Sequence, residues 1–165
     1  MNQRDGREAS DEKVARIKAR QTAYRLLKYR PRSEQEIIDK LRKKDFPKTV
    51  IAHTVDELRK TGLVDDRQFA LGWTRSRLNK PFGVKRISYE LKQKGIDGDI
   101  ADDAIRQATE HHDEFEVLLE LAKRRLSKYK HLDRQKAKQR LFGYLSRRGF
   151  SGNIVFKVLK EVEAS

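Results

Sequence analysis

Residues 75–96 read R-S-R-L-N-K-P-F-G-V-K-R-I-S-Y-E-L-K-Q-K-G-I. Ile87, Leu91 and Ile96 are spaced by four and then five, which places the first two on one face of a helix. Lys94-Gly95-Ile96 is a helix stop: glycine takes the left-handed position past the last turn, and the apolar residue after it plugs the turn. The same spacing occurs at Ile37, Leu41 and Phe46, and again at Leu141, Leu145 and Phe150. Fifty residues separate Phe46 from Ile96, and fifty-four separate Ile96 from Phe150. After each plug a further helix carries matching offsets: Val50, Val55, Leu58, then Ile100, Ile105, Ala108, then Ile154, Leu159, Val162. Self-similarity of this length marks a repeat array, in which each helical unit buries its apolar face partly against its neighbours.

A first helix precedes each pair. In the second unit it carries Phe69, Trp73 and Leu78; in the third it carries Phe115, Leu118, Leu119, Ala122 and Leu126. The expected fold is therefore all-α: three tandem three-helix repeats, at residues 13–62, 63–112 and 113–165, forming an elongated, curved helical array. Met1 to Glu12 is polar and reads as a disordered arm. Pro31 ends the first helix, and Ser33 with Glu36 three residues on forms a capping box for the next. Arg148-Gly149-Phe150-Ser151 matches Lys94-Gly95-Ile96-Asp97, whereas the first unit has Asp45 in place of glycine and Pro47 in place of the cap, so its turn is expected to differ in detail.

Hydrophobic residues make up 36% of the 165-residue chain and charged ones 39%, against about 45–50% and about 25% ordinarily, so each unit has a thin core beneath a charged surface. Net charge is +14, which favours polyanions or acidic protein surfaces as partners. The absence of cysteine excludes disulfides, thiol nucleophiles and Cys-based metal sites. Neither a signal-peptide core nor a membrane span is visible, and the expected setting is cytoplasmic.

The charge lies in bands. Lys13 to Arg32 holds eight cations and no anion, Arg67 to Lys94 eight cations and one anion (Glu90), and Leu121 to Gly149 eleven cations and one anion (Asp133). Gly95 to Glu120 holds nine anions and one cation, Arg106. A sequence-reading helix-turn-helix places its second helix in the major groove, where phosphates would repel the acidic helix after Gly95. Contact that only tracks phosphates stays open, since it needs no more than positioned lysine and arginine.

His111-His112-Asp113-Glu114 has no distant partner for a metal site and reads as an exposed helix junction; Asp97-Gly98-Asp99 is too short for a calcium loop. No phosphate-binding glycine loop or nucleophile elbow occurs, so a non-enzyme without cofactor or metal is expected. Trp73 and Phe69 are four apart on one helix face and read as core, while Phe82, between Pro81 and Gly83, is the candidate for an exposed aromatic. The candidate partner-binding residues are Arg75, Arg77, Lys80, Lys85, Arg86, Lys92 and Lys94, with Arg124, Arg125 and Lys128 as a second set.

Four local patterns resemble the RecX family. They are Ser33-Glu34-x-Glu36 followed by Lys40-Leu41; Gly62-Leu63-Val64-Asp65-Asp66-x-x-Phe69-Ala70; Arg75-x-Arg77 with Gly83-x-x-Arg86-Ile87-x-x-Glu90-Leu91-x-x-Lys94-Gly95-Ile96; and Arg147-Arg148-Gly149-Phe150. The resemblance covers nearly the whole chain after the arm, Ala19 to Val162. Two positions depart from the family pattern: Val84, where many members have proline, and Leu63, where tyrosine is common. The resemblance implies an all-helical monomer that binds the filament of the recombinase RecA on DNA. It would lie in the filament groove, inhibit ATPase, recombinase and coprotease activities, and so modulate DNA repair and the SOS response. The alternative is a direct binder of single- or double-stranded DNA with low sequence preference.

Overall fold

The computed structural model describes the backbone of residues 3–164 and the side chains of residues 10–163. Among them are nine α-helices and no strand: α1 (Gln3–Tyr29), α2 (Glu34–Arg42), α3 (Lys48–Lys60), α4 (Asp66–Leu78), α5 (Val84–Gln93), α6 (Gly98–Thr109), α7 (Glu114–Leu126), α8 (Arg134–Arg147) and α9 (Gly152–Ala164). A single 3-10 turn, Ser127–Tyr129, follows α7. The helix α1 takes in most of the stretch expected as a disordered arm. No proline interrupts residues 3–29, and Arg16 pairs with Glu12 one turn away at 2.7 Å, a spacing that supports an exposed helix. Met1 and Asn2 lie outside the described residues.

The residues expected to form the ridge of each repeat are its core. Ile37, Leu41, Ile87, Leu91 and Leu145 have no exposed surface, Leu141 is 1% exposed, and Ile96 and Phe150 are buried at the turns. In the first repeat α1, α2 and α3 pack pairwise, and in the third α7, α8 and α9 do; in the second α5 packs on α6.

Packing divides the chain into two compact units. One takes in the chain up to Phe69 together with Lys94–Asp97; the other takes in Ala70–Gln93 and Gly98–Ser165. In the first unit the Leu63-Val64-Asp65-Asp66 motif does separate jobs with adjacent residues. Val64 is buried, and the Asp65 carboxylate accepts the N–H groups of Arg67 (2.8 Å) and Gln68 (3.1 Å), capping α4. Asp66 accepts the N–H of Glu34 at 2.9 Å, so the start of α4 is tied to the start of α2. Burial pushes the Asp66 carboxyl pKa up, against that hydrogen bond. Leu63 is half exposed.

The same joint is built once in each unit. In the first, the Ser33 hydroxyl donates to the carbonyl of Lys94 at 2.7 Å, and a Cβ on Gly95 would overlap the Cβ of Gln35. In the second, the Gly83 N–H donates to the carbonyl of Arg148 (2.9 Å) and the Lys85 N–H to that of Gly149 (3.2 Å). A Cβ on Gly149 would lie 2.5 Å from the Arg86 nitrogen, and one on Gly83 would overlap the Gly149 backbone. Gly95 (φ 73°) and Gly149 (φ 89°) are thus required twice over, by a left-handed backbone and by close approach. Asp45 adopts the same left-handed conformation at φ 59°. The left-handed position is thus kept in the first repeat, because aspartate tolerates that region better than most residues, while the turn differs at the next helix start as expected: Pro47 is the N-cap of α3 and makes no side-chain cap.

The third repeat explains its four extra residues. Counting back from the turn, Ala137 occupies the place of Ser33 and Gly83, but α8 starts a turn earlier, at Arg134. The Ala137 N–H is bonded within the helix to the Asp133 carbonyl at 2.9 Å, so α8 lacks a free first turn at that place.

Candidate functional site

The single acid of the Arg67–Lys94 band organises its cations. Glu90, on α5, accepts from Arg86 Nε at 2.9 Å, from Arg77 Nε at 2.5 Å and from the Trp73 indole N–H at 3.1 Å. Trp73 and Arg77 lie on α4, one turn apart, so the carboxylate fastens α4 to α5. Partial burial pushes the Glu90 carboxyl up, but the hydrogen bonds from Arg86 and Arg77 outweigh it and hold the pKa below the ordinary value.

Phe82 is half-buried beneath three guanidinium groups, with carbon-to-centroid distances of 4.2 Å for Arg86, 4.9 Å for Arg148 and 5.7 Å for Arg77. Arg77 also stacks on Trp73 at 4.2 Å. Such cation–π contacts each contribute about 0.5–2 kcal/mol, more when shielded from water. The expectation of a free aromatic at Phe82 is thereby corrected, because its ring is the floor of an arginine stack. Arg148 continues the stack onto Tyr144 (5.2 Å) and donates to the carbonyls of Lys80 (2.7 Å) and Pro81 (3.0 Å), pinning the loop before α5. Arg125 lies 4.3 Å from the Tyr144 centroid and bonds the Tyr129 hydroxyl at 3.0 Å.

The candidate cations thus separate into two groups. Arg77, Arg86 and Arg125 are engaged inside the second unit, and Lys94 is engaged inside the first, where its ammonium meets Glu36 at 3.0 Å. Arg75, Lys80, Lys85, Lys92 and Lys128 are exposed, with no side-chain hydrogen bond or ion pair among the described residues. Arg124 is exposed and bonds only the Glu120 carbonyl of its own helix. Sequence reasoning missed Glu90 as a hub, although its place four residues after Arg86 in an otherwise anion-free stretch was a usable signal. The linking role of Arg148 had no local signal, because its partners Lys80, Pro81 and Phe82 are more than sixty residues away in sequence.

Burial pushes the Glu114 carboxyl pKa up, with His112 and the Val84 backbone opposing the rise. Among the described residues no group of three or more His, Asp or Glu side chains is arranged to hold a metal, and no helix is long and apolar enough to cross a membrane.

Three family models match the chain. The RecX first three-helix domain matches residues 19–58, the second 65–105 and the third 112–159. Regulatory protein RecX of Mycolicibacterium smegmatis is 33% identical over 160 residues, covering 94% of this chain and 85% of that protein. Its namesake from Amycolatopsis mediterranei is 32% identical, covering 87% and 82%. Among solved structures, RecX from Lactobacillus salivarius superposes with a TM-score of 0.80 at 27% identity, over 92% of this chain and 99% of the other. A second regulatory protein RecX gives 0.83 at 26% identity, over 98% and 79%.

Proposed function

The chain belongs to the RecX family, and from that premise we propose that it is a non-catalytic regulator that binds the RecA–DNA filament in its groove. Occupying the groove would block subunit addition or the rearrangement that follows ATP hydrolysis, lowering ATPase, recombinase and coprotease activities and so modulating repair and the SOS response. The carrying observation is the pool of exposed cations left over once the internal pairs are formed: Arg75, Lys80, Lys85, Lys92 and Lys128, with Arg124 one turn before Lys128. A charged surface of this kind steers encounter with an acidic protein groove or with phosphates. The test is RecA ATPase on single-stranded DNA with and without the protein. Inhibition at a few-fold molar excess is expected, and its absence refutes the reading.

A second reading, direct binding of DNA with low sequence preference, is favoured by the net charge of +14. It predicts affinity for bare DNA that falls with salt, with a slope of roughly −0.7 to −0.9 per phosphate neutralised. Filament binding that persists where bare-DNA binding has vanished refutes it.

A further inference from the structure

The three repeats share a groove between their second and third helices, and comparing the copies isolates one residue. Seven positions after the left-handed turn residue, the first repeat has Ala52, the second Asp102 and the third Phe156. Ala52 and Asp102 are exposed, as a helix surface requires nothing apolar there; Phe156 is 56% exposed yet large and aromatic. The fold makes no use of it that the other two copies need. Its ring lies 5.3 Å from that of Phe142 on α8, tilted by 48°, so an aromatic wall faces the groove.

The rest of the groove is chemically specific. Gln135, Lys138, Gln139 and the aliphatic Leu159 line it with the two phenylalanines, around a cavity of about 300 Å³. Asn153 and Lys160, one turn before and one after Phe156, are exposed on the same side of α9. Lys160 has no ion pair among the described residues, and Lys138 is held by Glu163 at 2.9 Å. Leu159 and the two rings make the floor apolar, and the polar groups around it are carboxamides and ammoniums. Carboxamides pair with base edges, aromatic faces stack on bases of any identity, and lysines meet phosphates.

We propose that Phe156 and Phe142 form a stacking platform for an unpaired nucleobase of single-stranded nucleic acid, with Gln135 and Gln139 at the base edge and Lys160 on the adjoining phosphate. The platform rests on the nucleic-acid reading and is independent of the filament reading. Stacking adds affinity that does not depend on salt, whereas a phosphate contact releases counterions, so the two kinds of residue leave different signatures.

The test is fluorescence anisotropy of a labelled oligothymidylate with the full chain across a salt series. Phe156→Ala is expected to bind about tenfold more weakly with an unchanged salt slope, and Phe156→Tyr to bind like the parent. Lys160→Gln is expected to reduce the slope by about 0.7. Because Phe156 is 56% exposed, Phe156→Ala should lower the urea unfolding midpoint only slightly, through the lost Phe142 contact, and Phe156→Tyr supplies a second, conservative measurement. Parental affinity in Phe156→Ala overturns the platform while leaving the nucleic-acid reading intact. No binding by the parent chain overturns both. Loss of RecA inhibition by Phe156→Ala with oligonucleotide affinity unchanged would make the aromatic wall a protein contact instead and also overturns the proposal.

Discussion

The Lys94 ammonium lies 3.0 Å from the Glu36 carboxylate, which also receives Arg30 at 2.8 Å and closes the capping box of α2 by accepting the Ser33 N–H. Partial burial raises the Glu36 pKa, but the hydrogen bonds and charges of Arg30 and Lys94 outweigh it and bring the carboxyl to about 2. A carboxyl depressed on folding stabilises the fold fully above its unfolded value, about 4.3. That contribution is lost as pH falls through the window down to about 2. Glu36→Gln should therefore lower the urea midpoint at pH 7, and the gap from the parent should shrink between about pH 5 and pH 2. A constant gap across that range would show that Glu36 is not the titrating group.

Two glycines with the same backbone conformation should respond differently to alanine. Gly62 (φ 68°) has nothing within 4 Å of an added Cβ, so Gly62→Ala should cost only the left-handed penalty, about 1–2 kcal/mol. Gly149→Ala adds a collision with the Arg86 backbone, and overpacking of that kind costs about 1–3 kcal/mol more. Chemical denaturation of both variants measures the difference, which should fall on the unit containing the Gly83–Arg148 joint.

Leu91 has no exposed surface, and Leu91→Ala should destabilise by about 2–5 kcal/mol, depending on how far the site collapses. Tyr89, two residues away and 63% exposed, should tolerate alanine within about 0.5 kcal/mol. Equal effects would mean that α5 is registered differently on α6.

Helical periodicity was readable because it depends on residues three and four apart: Ile37, Leu41, Ile87, Leu91, Leu141 and Leu145 are all core. The turn glycines were readable for the same local reason. What escaped was long-range. Asp66 reaches Glu34, Ser33 reaches Lys94, and Arg148 reaches Lys80, pairings that no local pattern specifies. The cations were legible as a set but not by use, since an arginine bound to Glu90 and one open to solvent look alike in sequence. The first turn differs at Pro47 as expected, while Asp45 keeps the left-handed backbone of the turn glycines, because aspartate also enters that region. The helical start at Gln3 was missed because that stretch of α1 lacks the apolar periodicity by which the other helices were recognised.

That division of the cations sharpens the test of partner contact. Arg86→Glu would remove the Glu90 hydrogen bond and the Phe82 stack along with any partner contact, so a loss of binding there has two causes. Arg75 and Lys85 are exposed and unpaired among the described residues, which makes their reversal a cleaner probe. Arg75→Glu with Lys85→Glu should leave the circular dichroism spectrum and the urea midpoint within about 0.5 kcal/mol of the parent. Filament affinity should fall by roughly tenfold, equivalent to about 1.4 kcal/mol, and chiefly through a slower association rate, because exposed charges act on encounter. The deficit should narrow as ionic strength rises and screening shortens to about 3 Å at 1 M. A double reversal that binds and inhibits like the parent at low salt would return these two residues to the solvated surface and leave Lys80, Lys92, Arg124 and Lys128 as the remaining candidates.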